Sequence, residues 1–127
     1  VLPVVVAAQE GSASVVCIEQ PELHVHPAVQ VGLGDLFIDG VLTKGLSFMI
    51  ETHSEHLILR LLRRVREAAE LESKTPETKV SPSLIGICYL SKANGQVMVT
   101  DIPINLEGDF DKPWPRGFFE ERGPELF

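Results

Sequence analysis

Apolar residues in this chain fall into separate blocks, and the spacing inside each block predicts a strand or a helix. Residues 14–18 and 46–50 are almost wholly apolar runs, typical of strands buried on both faces of a parallel sheet. Helical spacing of apolar residues follows the first run over residues 28–39, between Pro27 at the helix start and a loop bracketed by Gly40 and Gly45. Strands and helices therefore alternate, which favours an α/β fold.

The clearest helix pattern follows the second strand. Ser54 is a natural N-cap, and Glu55 in the first turn suits the helix dipole. The predicted buried stripe consists of Leu57, Ile58, Leu61, Leu62, Val65 and Ala69. The arginines outside this stripe are Arg60, Arg63, Arg64 and Arg66. Such a cluster is most often a solvated face and less often a contact for a phosphate or a partner.

The ends of the chain predict smaller elements. Residues 2–9 are apolar and rich in Val and Ala, as in the end of a helix. Strands at 84–90 and 96–102 flank an Ala-Asn-Gly turn and predict a hairpin, after an exposed polar loop at 72–83. The tail after Pro103 carries Phe110, Trp114, Phe118, Phe119 and Phe127, and we expect these aromatics to pack as a small appendage rather than to form a docking segment.

Length and composition match one soluble globular domain. The 127 residues are 44% hydrophobic and 23% charged, and the apolar blocks exclude disorder as a description of the whole chain. A net charge of −7 argues against a nucleic-acid coat, and residues 1–8 are too short to span a membrane. We expect a cytoplasmic protein in which Cys17 and Cys88, both in strand-like runs, are buried and reduced.

Polar clusters follow the first two predicted strands. Glu19 to Glu22 follow the first strand, and Glu51 to His53 follow the second. Because ligands of open parallel sheets bind at the carboxyl ends of the strands, we expect both clusters to face one crevice. Glu19 is placed to offer an oxygen ligand to Mg²⁺, although a strand-end acid that simply meets solvent is the alternative.

The order of these pieces resembles the carboxyl-terminal half of an ATP-binding-cassette-type ATPase. Val15-Val-Cys-Ile-Glu19 is similar to a Walker B strand, and Phe48-Met-Ile-Glu-Thr-His53 is similar to a switch-histidine segment. More narrowly, Ile18-Glu-Gln-Pro-Glu-Leu-His-Val-His-Pro27 and Glu51-Thr-His-Ser-Glu-His56 resemble the prokaryotic AAA-type branch related to the overcoming-lysogenization-defect and SMC-like ATPases. Trp114-Pro-Arg-Gly-Phe-Phe-Glu120 resembles a small carboxyl-terminal domain of unknown function found in some of them.

This resemblance implies part of a three-layer P-loop NTPase sheet with flanking helices, with a hairpin and the aromatic tail toward the carboxyl end. It places the carboxyl-terminal half of the ATPase domain at residues 1–92 and a small appendage at residues 93–127. It implies Mg²⁺-dependent ATP hydrolysis in the full-length protein, a homodimeric head, and a nuclease or DNA as a possible partner. Glu19 would assist Mg²⁺ and His53 would contact the γ-phosphate. Gln20 stands where transport-type relatives carry the water-activating Glu, so that role passes to Glu22, with Gln20 able to orient water.

The sequence departs from the family because it contains no P-loop. The nearest segment, Gly40-Val-Leu-Thr-Lys-Gly45, is followed by Leu46 where the phosphate-binding Lys would stand. We therefore expect a fragment whose amino-terminal half, with the P-loop and the signature segment, is missing. The isolated chain should neither bind ATP tightly nor hydrolyse it.

Two other interpretations stay open. In the first, the chain is a non-catalytic interaction or assembly module, in which case a complete ATPase sequence would not surround it. In the second, a hydrolase holds its metal with all four histidines, or with some of them and a Glu: His24, His26, His53 and His56. We favour a loop-anchoring role for His24 and His26, in a loop that the resemblance places near the subunit interface.

Overall fold

The computed structural model describes residues 2–9, 15–71 and 80–114, and it has the mixed α/β character predicted from the sequence. In chain order the elements are α1 (Leu2–Gln9), β1 (Val15–Glu19), α2 (Pro27–Lys44), β2 (Ser47–Glu51), α3 (Glu55–Glu70), a 3₁₀ turn (Pro82–Leu84), β3 (Cys88–Ala93) and β4 (Gln96–Asp101). Within the described ranges, none of the helices is long and apolar enough to cross a membrane.

The first sheet is a parallel pair joined by a helix. β1 pairs with β2 from Val15 opposite Ser47 to Glu19 opposite Glu51, and α2 makes the crossover between them. Parallel strands need such a crossover because a tight turn cannot return the chain in the same direction. As a result, the carboxyl ends of both strands lie side by side at one edge of the sheet.

The helices cover only one face of this sheet in the described residues. Ile18, Phe48 and Ile50 point toward a core built on Leu33, Phe37 and Leu57. On the other face Val15 is 57% exposed and Met49 is 70% exposed. The prediction that both strands are buried on two faces was therefore wrong, and Cys17 is exposed instead of buried because it points to the uncovered face.

Helix α2 is longer than its sequence pattern predicted. We expected it to end near Asp39, but it continues through Gly40 to Lys44 and is terminated by Gly45 in the left-handed conformation. Gly40 does not break the helix, because it is the point of close packing on β2: a Cβ atom there would lie 3.0 Å from the ring of Phe48. The segment 40–45, the nearest match to a P-loop, is thus a helix end.

Helix α3 begins as predicted, with the Ser54 hydroxyl accepting a hydrogen bond from the Leu57 N–H at 3.1 Å. Its buried stripe includes Ala68, whereas Ala69 is exposed, so the last predicted position was off by one residue. Ala68 packs in the core with Ile38, Val65 and Val80, so tertiary contacts and not helical spacing alone decide which alanine is buried.

The arginines of α3 form ion pairs with nearby acids. Arg60 donates to both carboxylate oxygens of Asp35 at 2.9 and 3.0 Å, and Arg64 donates to the same carboxylate at 2.8 Å. The hydrogen bond to Asp35 is the main reason why the pKa of Arg60 is raised. Arg63 pairs with Glu67, and Arg66 pairs with Asp109. The cluster is therefore neither simply solvated nor an open phosphate patch.

The second sheet is the predicted hairpin. β3 and β4 are antiparallel, and Asn94 and Gly95 at the turn both have positive φ, as a two-residue turn of this type requires. β3 begins at Cys88, not at residue 84, because residues 82–84 form the 3₁₀ turn capped by Ser81. Cys88 is exposed, contrary to the prediction, and the hairpin spans the predicted domain boundary between residues 92 and 93.

Part of the aromatic appendage lies within the described residues. The Trp114 ring stands 4.8 Å from that of Phe110 and 6.1 Å from that of Tyr89 on β3, measured between ring centroids. The part of the chain outside the described residues includes positions 72–79 of the polar loop predicted at 72–83. It also includes the tail from 115 onward, with Phe118, Phe119 and Phe127.

Candidate functional site

The two polar clusters predicted from the sequence come together at the carboxyl edge of the parallel sheet. Glu19 lies opposite Glu51 in the register, and the N–H of Gln20 donates to the carbonyl of Glu51 at 2.7 Å, which extends the ladder by one bond. Beyond this point β1 and β2 lead into separate loops, which carry Glu22 and His53. The parallel pairing thus places both loops at a single edge.

The loop after β1 is tightly wound. Gln20 has a φ of 44° and His24 a φ of 59°, both in the left-handed region that non-glycine residues seldom occupy. The Leu23 N–H donates to the Gln20 carbonyl, and the Val25 N–H donates to the Glu22 carbonyl. His26 ends the loop as the N-cap of α2, where its Nδ1 accepts from the Ala28 N–H at 3.2 Å.

Glu22 joins this loop to the one after β2. Its Oε1 atom accepts a hydrogen bond from the backbone N–H of His53 at 2.7 Å. Its Oε2 atom is buried and has no hydrogen-bond partner among the described residues. A buried carboxylate oxygen without a donor is unfavourable, so Oε2 is a position where a water or a ligand donor would be stabilised.

An open cleft of about 770 Å³ lies between the two loops. Its polar lining comes from both loops and from the first turns of α2 and α3: Gln20, Glu22, His24, His26, Gln30, His53, Ser54, Glu55 and His56. The structure therefore brings Gln20, Glu22 and His53 to one cleft, together with the other three histidines. His56 is half-buried. His53 is exposed, so its imidazole is accessible to a bound molecule.

Gln30 and Ser54 form a second link between the loops. The Ser54 hydroxyl donates to Gln30 Oε1 at 2.6 Å, and Gln30 Nε2 donates to the Val25 carbonyl at 2.9 Å. Thr52 Oγ1 accepts from the Ser54 N–H at 3.0 Å. Ser54 is the buried polar residue at this junction, with 5% of its surface exposed.

Glu19 stands apart from the cleft lining. It is exposed and continues the outward alternation of Val15 and Cys17 along β1. Carboxylate oxygens suit Mg²⁺, which is commonly held by one or two carboxylates plus water and substrate phosphates, so Glu19 and the neighbouring Glu51 fit that donor chemistry. Across residues 2–9, 15–71 and 80–114, no group of three or more His, Cys, Asp or Glu side chains is arranged to hold a metal ion.

Comparisons with protein-family models, with curated proteins and with solved structures found no match to this chain. The site must therefore be interpreted from its own geometry. Gln30 is the residue of the site that the sequence pattern did not single out. The one signal for it was an amide between Val29 and Val31 in the first turns of a helix that leads away from the polar loop.

Proposed function

We propose that this chain forms the Walker B and switch-histidine part of a Mg²⁺-dependent ATPase of the ATP-binding-cassette type, the AAA-type branch with SMC-like relatives. One observation carries the proposal: the hydrogen bond between Glu22 Oε1 and the His53 N–H, 2.7 Å long, ties the loop after β1 to the loop after β2. The parallel register beneath it supports the same interpretation, because it aligns the ends of the two strands.

In this proposal each polar side chain has a separate task. Glu22 activates the attacking water, while its Oε1 remains bound to the backbone of His53. Gln20 orients the same water through its amide, and His53 donates to the terminal phosphate from the open side of the cleft. Phosphoryl transfer depends mainly on such positioning and on stabilising charge, so it tolerates a weak base.

Glu19 would hold Mg²⁺, whose charge when bound neutralises the phosphates. The phosphate-cradling loop must come from residues outside this chain, since segment 40–45 ends a helix and does not form a nest of N–H groups. We therefore place ATP binding and hydrolysis in a full-length, homodimeric protein, and expect no tight ATP binding by the 127 residues alone.

The proposal is tested by phosphate release from the full-length protein. His53→Ala should lower turnover about 10²- to 10³-fold, the usual effect of losing one preorganised donor to developing charge, while ATP affinity changes far less. His56→Ala is the matched control, because His56 lines the same cleft but has no role in the proposed reaction. Intact turnover in His53→Ala would contradict the proposal.

Glu22→Gln and Gln20→Ala decide which side chain handles the water. We expect Glu22→Gln to lower turnover strongly, and Gln20→Ala to have the milder effect. The reverse order would assign the water to Gln20. If His56→Ala is as damaging as His53→Ala and elemental analysis finds a bound transition metal, the histidines form a hydrolase site instead.

A second candidate function, a non-catalytic assembly module, is favoured by the exposed apolar faces of the two sheets, such as Met49 at 70% and Val97 at 70% exposed. The two candidates differ in one measurement. An assembly module should bind its partner equally well with and without Mg-ATP, whereas an ATPase head should respond to the nucleotide.

A further inference from the structure

The segment that presents His53 to the cleft is held at three points. The N–H of His53 donates to Glu22 Oε1, and the N–H of the next residue, Ser54, donates to Thr52 Oγ1 at 3.0 Å. The third point is the Ser54 hydroxyl, which donates to Gln30 Oε1 at 2.6 Å while it accepts from the Leu57 N–H. The backbone on both sides of His53 is therefore fixed, although its side chain is exposed.

Gln30 differs from the other two contacts because it binds both loops from outside them. It lies on α2, in neither loop, and its amide uses its two ends separately: Oε1 accepts from Ser54, and Nε2 donates to the Val25 carbonyl. The observed pair of bonds needs an acceptor for the Ser54 hydroxyl and a donor for the Val25 carbonyl on the same side chain. An amide of this length meets both requirements without introducing a charge.

We infer that Gln30 is a positioning residue that sets the distance between the loop at 20–26 and the His53 segment, and so keeps His53 and Glu22 facing the same point in the cleft. Its effect on turnover rests on the proposed function; its effect on the geometry does not. Because catalysis by positioned groups is sensitive to small displacements, the loss of the two Gln30 hydrogen bonds should affect turnover more than ATP binding.

The geometric part is tested in the 127-residue chain by amide hydrogen exchange. Gln30→Met has nearly the same shape but lacks both polar ends, so the Leu57 N–H that Ser54 caps should exchange about fivefold to tenfold faster. Thr43→Val is the matched control, because it also removes a side-chain hydrogen bond from α2, to the Asp39 carbonyl, but at the far end of the helix. That variant should leave Leu57 exchange unchanged.

Two outcomes would overturn the inference. If Leu57 exchange in Gln30→Met equals that of the unmodified chain, Gln30 does not hold the segment. If the core amides of Phe37 and Val65 accelerate by the same factor as Leu57, the substitution has only lowered the overall stability. Gln30→Glu provides a second variant, since its carboxylate still accepts from Ser54 and should restore most of the Leu57 protection.

The functional part is tested in the full-length protein by separating kcat from KM. We expect Gln30→Met to lower kcat about tenfold with KM for ATP nearly unchanged, and Gln30→Glu to recover part of kcat. An unchanged kcat would show that the Gln30 side chain does not position the reacting groups. If the full-length protein has no ATPase activity at all, the proposed function fails, while the exchange experiment still decides whether Gln30 fixes the geometry.

Discussion

Gln20 occupies a conformation that its residue type disfavours. Its φ of 44° places the backbone in the left-handed region immediately after a regular strand. This conformation costs a non-glycine residue roughly 1–2 kcal/mol, so the surrounding contacts must hold it. Two of them are visible: the Gln20 N–H donates to the Glu51 carbonyl, and the Gln20 carbonyl accepts from Leu23. The turn that directs Glu22 toward His53 depends on this residue.

Substitutions at Gln20 should separate the backbone from the side chain. Gln20→Gly relieves the strain and should raise the free energy of unfolding by up to about 1 kcal/mol, whereas Gln20→Val should lower it by about 1–2 kcal/mol because a branched Cβ resists positive φ. Urea denaturation followed by circular dichroism measures both. Equal stabilities for the two variants would show that the left-handed conformation is not maintained in solution.

Single residues of the site were predictable by type but not by contact. The carboxylates and the histidine were expected at the strand ends, because parallel strands align their carboxyl ends. The bond from the His53 N–H to Glu22, and the bridge through Gln30, depend on loop geometry. That geometry depends on the left-handed backbone of Gln20 and His24, and neither residue type indicates such a conformation. No rule of residue spacing could therefore have predicted these contacts.

At the scale of elements, the segment after β4 docks on α3 through a glycine. Gly108 has a φ of 75°, and a Cβ atom there would lie 2.5 Å from the Leu62 carbonyl oxygen. Asn105 Oδ1 shapes this loop by accepting from the N–H groups of Glu107 and Asp109. Arg66, also on α3, donates from Nη2 to Asp109 Oδ1 at 2.7 Å. The loop is thus attached to the helix at close range.

Gly108→Ala should therefore be one of the more damaging single substitutions. It combines left-handed strain with overlap against the backbone of α3, and we expect a loss of about 2–4 kcal/mol in the free energy of unfolding. Gly95→Ala is the matched control: Gly95 also has positive φ, 77°, but a Cβ atom there meets nothing within 4 Å. Thermal or urea unfolding of both variants gives the comparison, and equal losses would mean that the close packing on α3 is not formed.

The sequence predicted the order of the helices and strands more closely than it predicted where α2 ends or which strand faces are buried. The N-cap at Ser54, the Asn94-Gly95 turn and the order of helices and strands were predicted correctly, because capping and turn chemistry act over a few residues. The end of α2 was missed because Gly40 is determined by packing against Phe48, not by its own low helix propensity. Burial of β1 was overestimated because an apolar run does not reveal how many faces are covered.

At the scale of the whole molecule, two sheet faces remain uncovered in the described residues. One is the outer face of the parallel pair, which includes Val15, Cys17 and Met49. The other is the face of the hairpin that carries Leu90, Val97 and Val99, with Leu90 directly opposite Val99 in the register. Exposed apolar sheet surface of this kind favours association, and two-stranded sheets also leave unpaired strand edges.

We therefore expect the isolated chain to self-associate. In sedimentation velocity, its average mass should rise above the monomer value of 14.0 kDa as the concentration increases. Met49→Lys places a charge on the outer face of the parallel pair and should shift the equilibrium toward monomer, because burying an unpaired ammonium opposes association. Leu106→Lys is the matched control: Leu106 is 72% exposed but lies on neither sheet, so the same change in charge should leave association as it was. A monomer at every concentration would contradict the expectation, and an equal effect of the two substitutions would assign the association to net charge instead of to the sheet face.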